Sequence, residues 1–365
     1  SWSSPGICAI SFMIGGKTSS IASIGWSPSR YTRPRRSAST SCESLPAREA
    51  VYADLDLAPP LARALAARGI ARLYSHQVAA LRAVRAGEHT AVATPTASGK
   101  SLVYLLALWE RWLAGGEPTA LYLSPLKALA QDQRRSVEEL GAPLAPAERL
   151  TAALYDGDTP ASARGKIRAR PPALVLTNPD MVHLSLLSSH AGWAPFLSRL
   201  AYVVLDEAHA YRGVFGSHVA GILRRLGRVC AHYGSRPTFV AASATLANPA
   251  EFLARLTGER FTVVTESGAP SPPRWFALVK PAANAYTESC ELLEEFLQTG
   301  LKTIAFTKAR KITELLAMWL AERAPGLAGR VKAYRAGYLP EERRALERAL
   351  AGDRLDGVIA TSALE

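Results

Sequence analysis

Short runs of apolar, β-compatible residues alternate along this chain with longer stretches of helical periodicity. Thr90-Ala91-Val92-Ala93, Leu200-Ala201-Tyr202-Val203-Val204-Leu205, Thr238-Phe239-Val240-Ala241-Ala242, Thr303-Ile304-Ala305-Phe306 and Gly357-Val358-Ile359-Ala360 each read as a buried strand. Helical patterns separate them. Pro59 and Pro60 open one that Gly69 closes, Lys100 to Trp109 carries another, and residues 288–298 and 309–324 give two more. Strands alternating with helices predict an α/β fold built on a parallel, doubly wound sheet.

A length of 365 residues predicts about two domains. The run Glu266-Ser267-Gly268-Ala269-Pro270-Ser271-Pro272-Pro273-Arg274 is dense in Gly, Pro and Ser and suits a linker. Residues 48–265 are therefore expected to form one lobe, 266–274 the linker, and 275–365 a second, incomplete lobe. Residues 1–47 are Ser-rich, carry Arg33, Arg35 and Arg36, and lack either periodicity. They read as a disordered or unrelated extension.

Composition adds a partner class. Lys and Arg total 43 against 31 Asp and Glu, a net charge of +12, which favours a polyanion. The four cysteines are scattered with no C-x-x-C spacing, so neither a zinc site nor a disulfide framework is indicated. They read as reduced thiols of a cytoplasmic protein. No apolar run is long enough to cross a membrane.

The chemistry enters where the first strand ends. Thr94-Pro95-Thr96-Ala97-Ser98-Gly99-Lys100-Ser101 joins a strand to a helix, the setting a phosphate-binding loop requires. Backbone N–H groups across Thr94, Thr96, Ala97, Ser98 and Gly99 can point at a nucleotide's phosphates, aided by the helix dipole. Lys100 supplies a cation and Ser101 a hydroxyl for Mg²⁺. Thr94 stands where most such loops have their first glycine. Gly15-Gly16-Lys17-Thr18 looks similar, but no helical pattern follows it, so it is rejected.

The strand 200–205 ends in Asp206-Glu207-Ala208-His209. Asp206 is placed to hold Mg²⁺ and Glu207 to take a proton from an attacking water. Ser243 and Thr245, at the end of the strand 238–242, are free to bond His209 or Asp206, because Asn248 and Pro249 can start the next helix unaided. Lys100, Asp206 and Glu207 are thus the candidate catalytic set for ATP hydrolysis.

In this order the motifs resemble those of superfamily-2 DEAD/DEAH-box helicases, over roughly residues 50–365. The resemblance implies two RecA-like lobes, the second truncated, that close on Mg-ATP and reopen after hydrolysis. Leu73-Tyr74-Ser75-His76-Gln77 is similar to the adenine-reading element, with Tyr74 and Gln77 at the base. Ser124-Pro125-Leu126-Lys127 and Thr177-Asn178-Pro179 resemble the first two nucleic-acid motifs; Ile304 to Thr307 and Ala360 to Glu365 resemble elements of the second lobe. The resemblance implies that Pro125, Lys127, Thr177, Asn178, Thr307 and Thr361 grip phosphates, and that His209, Ser243 and Thr245 couple hydrolysis to movement. Asp206 to His218 and Tyr334 to Tyr338 are similar to the YprA-like DNA-repair branch, which carries a zinc-binding carboxyl-terminal domain. That branch implies an ATP-dependent helicase moving 3′→5′ on single-stranded or partly duplex DNA. An ATP-regulated clamp on RNA, or an RNA helicase, is the alternative. The motif carrying the family's arginine finger does not occur before Glu365, so the chain reads as a fragment with weak hydrolytic activity of its own.

Overall fold

The structure, a computed structural model, describes residues 37–244, 246–281 and 284–361. It divides into two compact units. One runs from Arg48 to Ser271; the other combines the described residues up to Ala47 with those from Pro272 onward. The Gly15-Gly16-Lys17-Thr18 stretch and Thr245 lie outside the described residues.

In chain order the strands are β1 (Ser37–Leu45), β2 (Tyr52–Ala53), β3 (Leu73–Tyr74), β4 (Thr90–Ala93), β5 (Thr119–Leu123), β6 (Ala152–Leu154), β7 (Leu174–Thr177), β8 (Leu200–Leu205), β9 (Thr238–Ser243) and β10 (Thr262–Val264). They continue as β11 (Arg274–Pro281), β12 (Thr303–Phe306), β13 (Val331–Tyr334) and β14 (Gly357–Ala360). The main helices are α1 (Pro59–Ala67), α2 (Ser75–Arg85), α3 (Ser101–Leu113), α4 (Lys127–Gly141), α5 (Ala161–Ala169), α6 (Gly213–His232), α7 (Pro249–Thr257), α8 (Ala285–Gln298), α9 (Arg310–Arg323) and α10 (Pro340–Ala351).

The first unit is built on a seven-stranded sheet in the order β10-β4-β9-β8-β5-β7-β6. All of its pairings are parallel. Strands buried on both faces must be apolar throughout, and every residue of β8 is buried. Period-2 alternation sends Tyr202 and Val204 into one core with Leu105, Leu108 and Trp109, and Val203 and Leu205 into the other with Trp193, Phe196 and Leu226. Helices therefore cover both faces, the doubly wound α/β arrangement. In the second unit, β12, β14 and β13 form a parallel sheet of the same kind.

Two boundaries differ from the sequence expectation. Residues 37–45 are not structureless: β1 pairs antiparallel with β11. A Ser-rich segment can do this because the ladder is made by backbone groups. The expected linker also starts later. Val51 N–H donates to Gly268 O at 2.8 Å, and Arg48 and Ser271 exchange bonds of 2.9 and 3.0 Å, so residues up to Ser271 belong to the first unit. A Cβ at Gly268 would sit 2.3 Å from Ser75 Oγ and 2.5 Å from Val51 O, so only glycine permits that approach.

Parallel strands end on a common edge. β4, β9 and β8 are successive neighbours, so the segments that follow them open side by side.

Candidate functional site

The loop between β4 and α3 is held from several sides. Ala97 and Gly99 both adopt left-handed backbone, with φ of 59° and 77°. Thr94 and Ser98 share a hydroxyl–hydroxyl bond of 2.8 Å, and both are buried. Thr94, in the place of a first glycine, thus braces the loop through its side chain. Gln77 closes the other side: its Oε1 accepts from Tyr74 N–H at 2.9 Å and its Nε2 donates to Gly99 O at 2.8 Å. Tyr74 stacks on Tyr52 with centroids 5.4 Å apart.

His76 is 1% exposed and joins three segments. Its Nδ1 accepts from Gly268 N–H at 3.1 Å, which leaves the proton on Nε2 to donate to Ser98 O at 3.0 Å. Burial holds this imidazole below its ordinary pKa, so the neutral tautomer is the one that fits.

Lys100 Nζ donates to Thr94 O at 3.0 Å and Pro95 O at 2.9 Å. The ammonium is therefore folded over the mouth of the loop. Burial lowers its pKa, while the charges of Glu207 and Asp206 pull it back up. The cation after β4 and the two carboxylates after β8 open on the same edge of the sheet.

Asp206 follows β8 directly. Its Oδ1 accepts from Glu207 N–H at 3.0 Å, and its Oδ2 accepts from the Tyr122 hydroxyl. Glu207 is left-handed, with φ 45°, a conformation that costs a non-glycine residue about 1–3 kcal/mol and is concentrated at functional sites. Burial pushes both carboxyls above the ordinary carboxylate range. His209 Nδ1 lies 3.2 Å from Glu207 Oε2 and 3.3 Å from Ser243 Oγ. The ring thus links the carboxylate after β8 to the end of β9, the strand seated between β8 and β4.

Among the described residues no group of three or more His, Cys, Asp or Glu side chains could hold a metal unaided. The site offers one half-buried carboxylate, Asp206, and one half-buried hydroxyl, Ser101. That oxygen set suits Mg²⁺, which takes one or two protein ligands and completes its shell with phosphate oxygens and water.

The nucleic-acid candidates form two groups. Pro125 and Lys127 follow β5, and Thr177 ends the adjacent strand β7 with Asn178 directly after it. Lys127 pairs with Asp158 at 2.7 Å, and both are well exposed. Thr177 is 4% exposed and its hydroxyl donates to Tyr155 O, so that hydroxyl is not free for a ligand. Asn178 Oδ1 accepts from Met181 N–H at 2.9 Å as a helix cap. Thr307 and Thr361 belong to the second unit, where Thr307 N–H donates to Ala360 O at 2.8 Å and Thr361 N–H to Tyr334 O at 3.2 Å. Sequence reasoning missed Tyr122, Tyr52, Gly268 and Asp158. Only the last had a local signal, the turn-forming run Asp156-Gly157-Asp158-Thr159.

Comparison with known proteins gives the family and fold. The family model for the DEAD/DEAH box helicase matches residues 74–252. The chain is 41% identical over 317 residues to the uncharacterized ATP-dependent helicase YprA of Bacillus subtilis, covering 83% of this chain and 41% of that protein. It is 35% identical over 343 residues to the ATP-dependent helicase HRQ1 of Saccharomyces cerevisiae, covering 89% and 32%. The crystal structure of the DUF1998 helicase MrfA bound to DNA superposes with a TM-score of 0.86 at 37% identity, covering 93% of this chain and 50% of that one. The chain thus spans half or less of the length of these relatives. A RecA-like α/β fold, a Gly-Lys-Ser loop beside an Asp-Glu pair and these matches agree: the chain carries a DEAD/DEAH box helicase domain, and it is similar to the YprA-like ATP-dependent helicases.

Proposed function

We propose that the first unit binds and hydrolyses Mg-ATP, and that the protein uses the cycle to move 3′→5′ along DNA. The observation that carries the reading is the placement of Lys100, folded over the loop after β4, on the same sheet edge as Asp206 and Glu207 after β8, with His209 and Ser243 bridging at the end of the intervening β9. Lys100 leaves the carbonyls of Thr94 and Pro95 and neutralises the phosphates. Gln77 and Tyr74 receive the adenine, and the N–H groups from Thr96 to Gly99 cradle the phosphate chain. Ser101 and Asp206 would hold Mg²⁺, whose charge would offset that developing on the γ-phosphoryl group. Glu207, its carboxyl raised by burial, orients the attacking water and takes its proton.

His209 and Ser243 relay the state of Glu207 to the end of β9. Pro125, Lys127, Asn178, Thr307 and Thr361 contact the strand's backbone, while Thr177, whose hydroxyl donates to Tyr155 O and whose carbonyl accepts from Ser124 N–H, holds the segment that presents Asn178. Such contacts position a strand without reading its sequence. MrfA, which was crystallised with DNA, favours DNA over the RNA-clamp alternative.

Fluorescence anisotropy of labelled single-stranded DNA tests the reading. Binding should tighten with a non-hydrolysable ATP analogue, weaken steeply with salt, and exceed binding of an RNA of the same sequence. RNA bound as tightly as DNA would favour the clamp. DNA binding indifferent to nucleotide would refute the motor.

A further inference from the structure

We propose that Tyr122 is a positioning residue for the metal site: its hydroxyl fixes the Asp206 carboxylate so that this side chain meets Mg²⁺ already oriented. The inference rests on the Mg-ATP reading above and names a group that reading does not use.

Tyr122 is the penultimate residue of β5, opposite Leu176 of β7 and Val204 of β8, and is fully buried. A tyrosine at such a position needs a partner for its hydroxyl, whereas phenylalanine would fill the same space without one. The partner is Asp206 Oδ2. The other carboxylate oxygen accepts from Glu207 N–H. Each oxygen therefore carries one protein donor and keeps a lone pair for a metal ion or its water. A hydrogen bond onto a charged acceptor is among the stronger kinds.

The phenol is itself held. Tyr104 packs against it with ring centroids 5.9 Å apart at 48°. Tyr104 is on α3, the helix that begins at Ser101. Tyr104 and Tyr122 thus connect, through the core, the helix carrying the candidate hydroxyl ligand to the candidate carboxylate ligand. Outer partners of this kind typically cost about 10–100-fold in metal affinity or activity when removed.

The test is Tyr122→Phe, read by binding of fluorescent ADP at equilibrium as Mg²⁺ is titrated. The concentration of Mg²⁺ at half-saturation should rise at least about tenfold. Affinity for the same nucleotide in EDTA should stay at the wild-type value. An unchanged Mg²⁺ half-saturation would overturn the proposal. So would an equal loss of affinity in EDTA, which would mark Tyr122 as a packing residue. Asp206→Ala in the same assay separates the two levels. It should abolish the Mg²⁺ dependence; a dependence that survives it would remove the metal-site reading and this proposal with it.

Discussion

Replacing His76 by leucine should both destabilise the first unit and loosen the phosphate loop. The imidazole carries a bond to Ser98 O and a bond from Gly268 N–H, and Ser98, Gly268 and His76 are all buried. Leucine fills much of the space but satisfies neither group. A buried donor or acceptor left without its partner costs about 1–3 kcal/mol, so the pair costs roughly 2–6 kcal/mol. Part of that is recovered where the chain relaxes toward water. For a unit of this size, 1 kcal/mol lowers the unfolding temperature by about 2–4 °C. Scanning calorimetry should therefore show a fall of at least about 4 °C. Fluorescent-nucleotide affinity should fall with it, because Ser98 belongs to the loop. The replacement should also remove a pH dependence. The folded pKa of His76 lies below the unfolded value of 6.5, so its contribution is complete above that pH and is lost as pH falls toward the folded value. A melting temperature within about a degree of wild type, with unchanged nucleotide affinity, would refute the clamp.

Gly99→Ala should weaken nucleotide binding severely. Its φ is 77°, and the added Cβ would sit 2.5 Å from Gln77 Nε2, displacing the amide that closes the loop; isothermal titration with an ATP analogue checks it. Asp206→Asn should raise the unfolding temperature of the nucleotide-free chain at neutral pH while removing Mg²⁺-dependent binding. Burial raises the Asp206 pKa, so its ionisation penalises the fold increasingly as pH rises from 3.8 through the raised folded value, and a neutral amide avoids that penalty. A lower unfolding temperature would contradict this. Lys127→Ala should reduce the slope of log affinity against log salt for single-stranded DNA by about one contact's worth, with thermal stability within about 0.5 kcal/mol, since its pair with Asp158 is exposed.

Much of the fold was legible because doubly wound sheets write themselves locally. β4, β8, β12 and β14 fall where the apolar runs placed them. The candidate phosphate loop and the Asp206-Glu207 pair could be picked out as a candidate site because each is contiguous and sits at a strand end. What escaped depends on contacts between distant residues. Tyr122 reads as one more apolar residue of a buried strand; its hydroxyl acquires meaning only when β5 and β8 pair and bring Asp206, 84 residues on, within reach. His76 and Gly268 are 192 residues apart and meet because glycine allows the chain to pass against Val51 and Ser75. The run around this glycine, with its prolines and serines, looked like a linker, since Gly, Pro and Ser mark close packing and chain exit alike. Residues 37–45 looked structureless because strand pairing through the backbone leaves no periodic trace in Ser-rich sequence.

The central claim is that Lys100, Ser101, Asp206 and Glu207 form one Mg-nucleotide site in the first unit. Equilibrium binding of fluorescent ATP, measured in parallel on the wild type, Lys100→Ala and Glu207→Gln, tests it most directly. The account predicts that Glu207→Gln binds as tightly as wild type, since the amide alters only proton transfer. Lys100→Ala should bind at least about a hundredfold more weakly, the loss of a hydrogen-bonded charge in a site organised around it. Wild-type affinity in Lys100→Ala would place the nucleotide elsewhere and contradict the account.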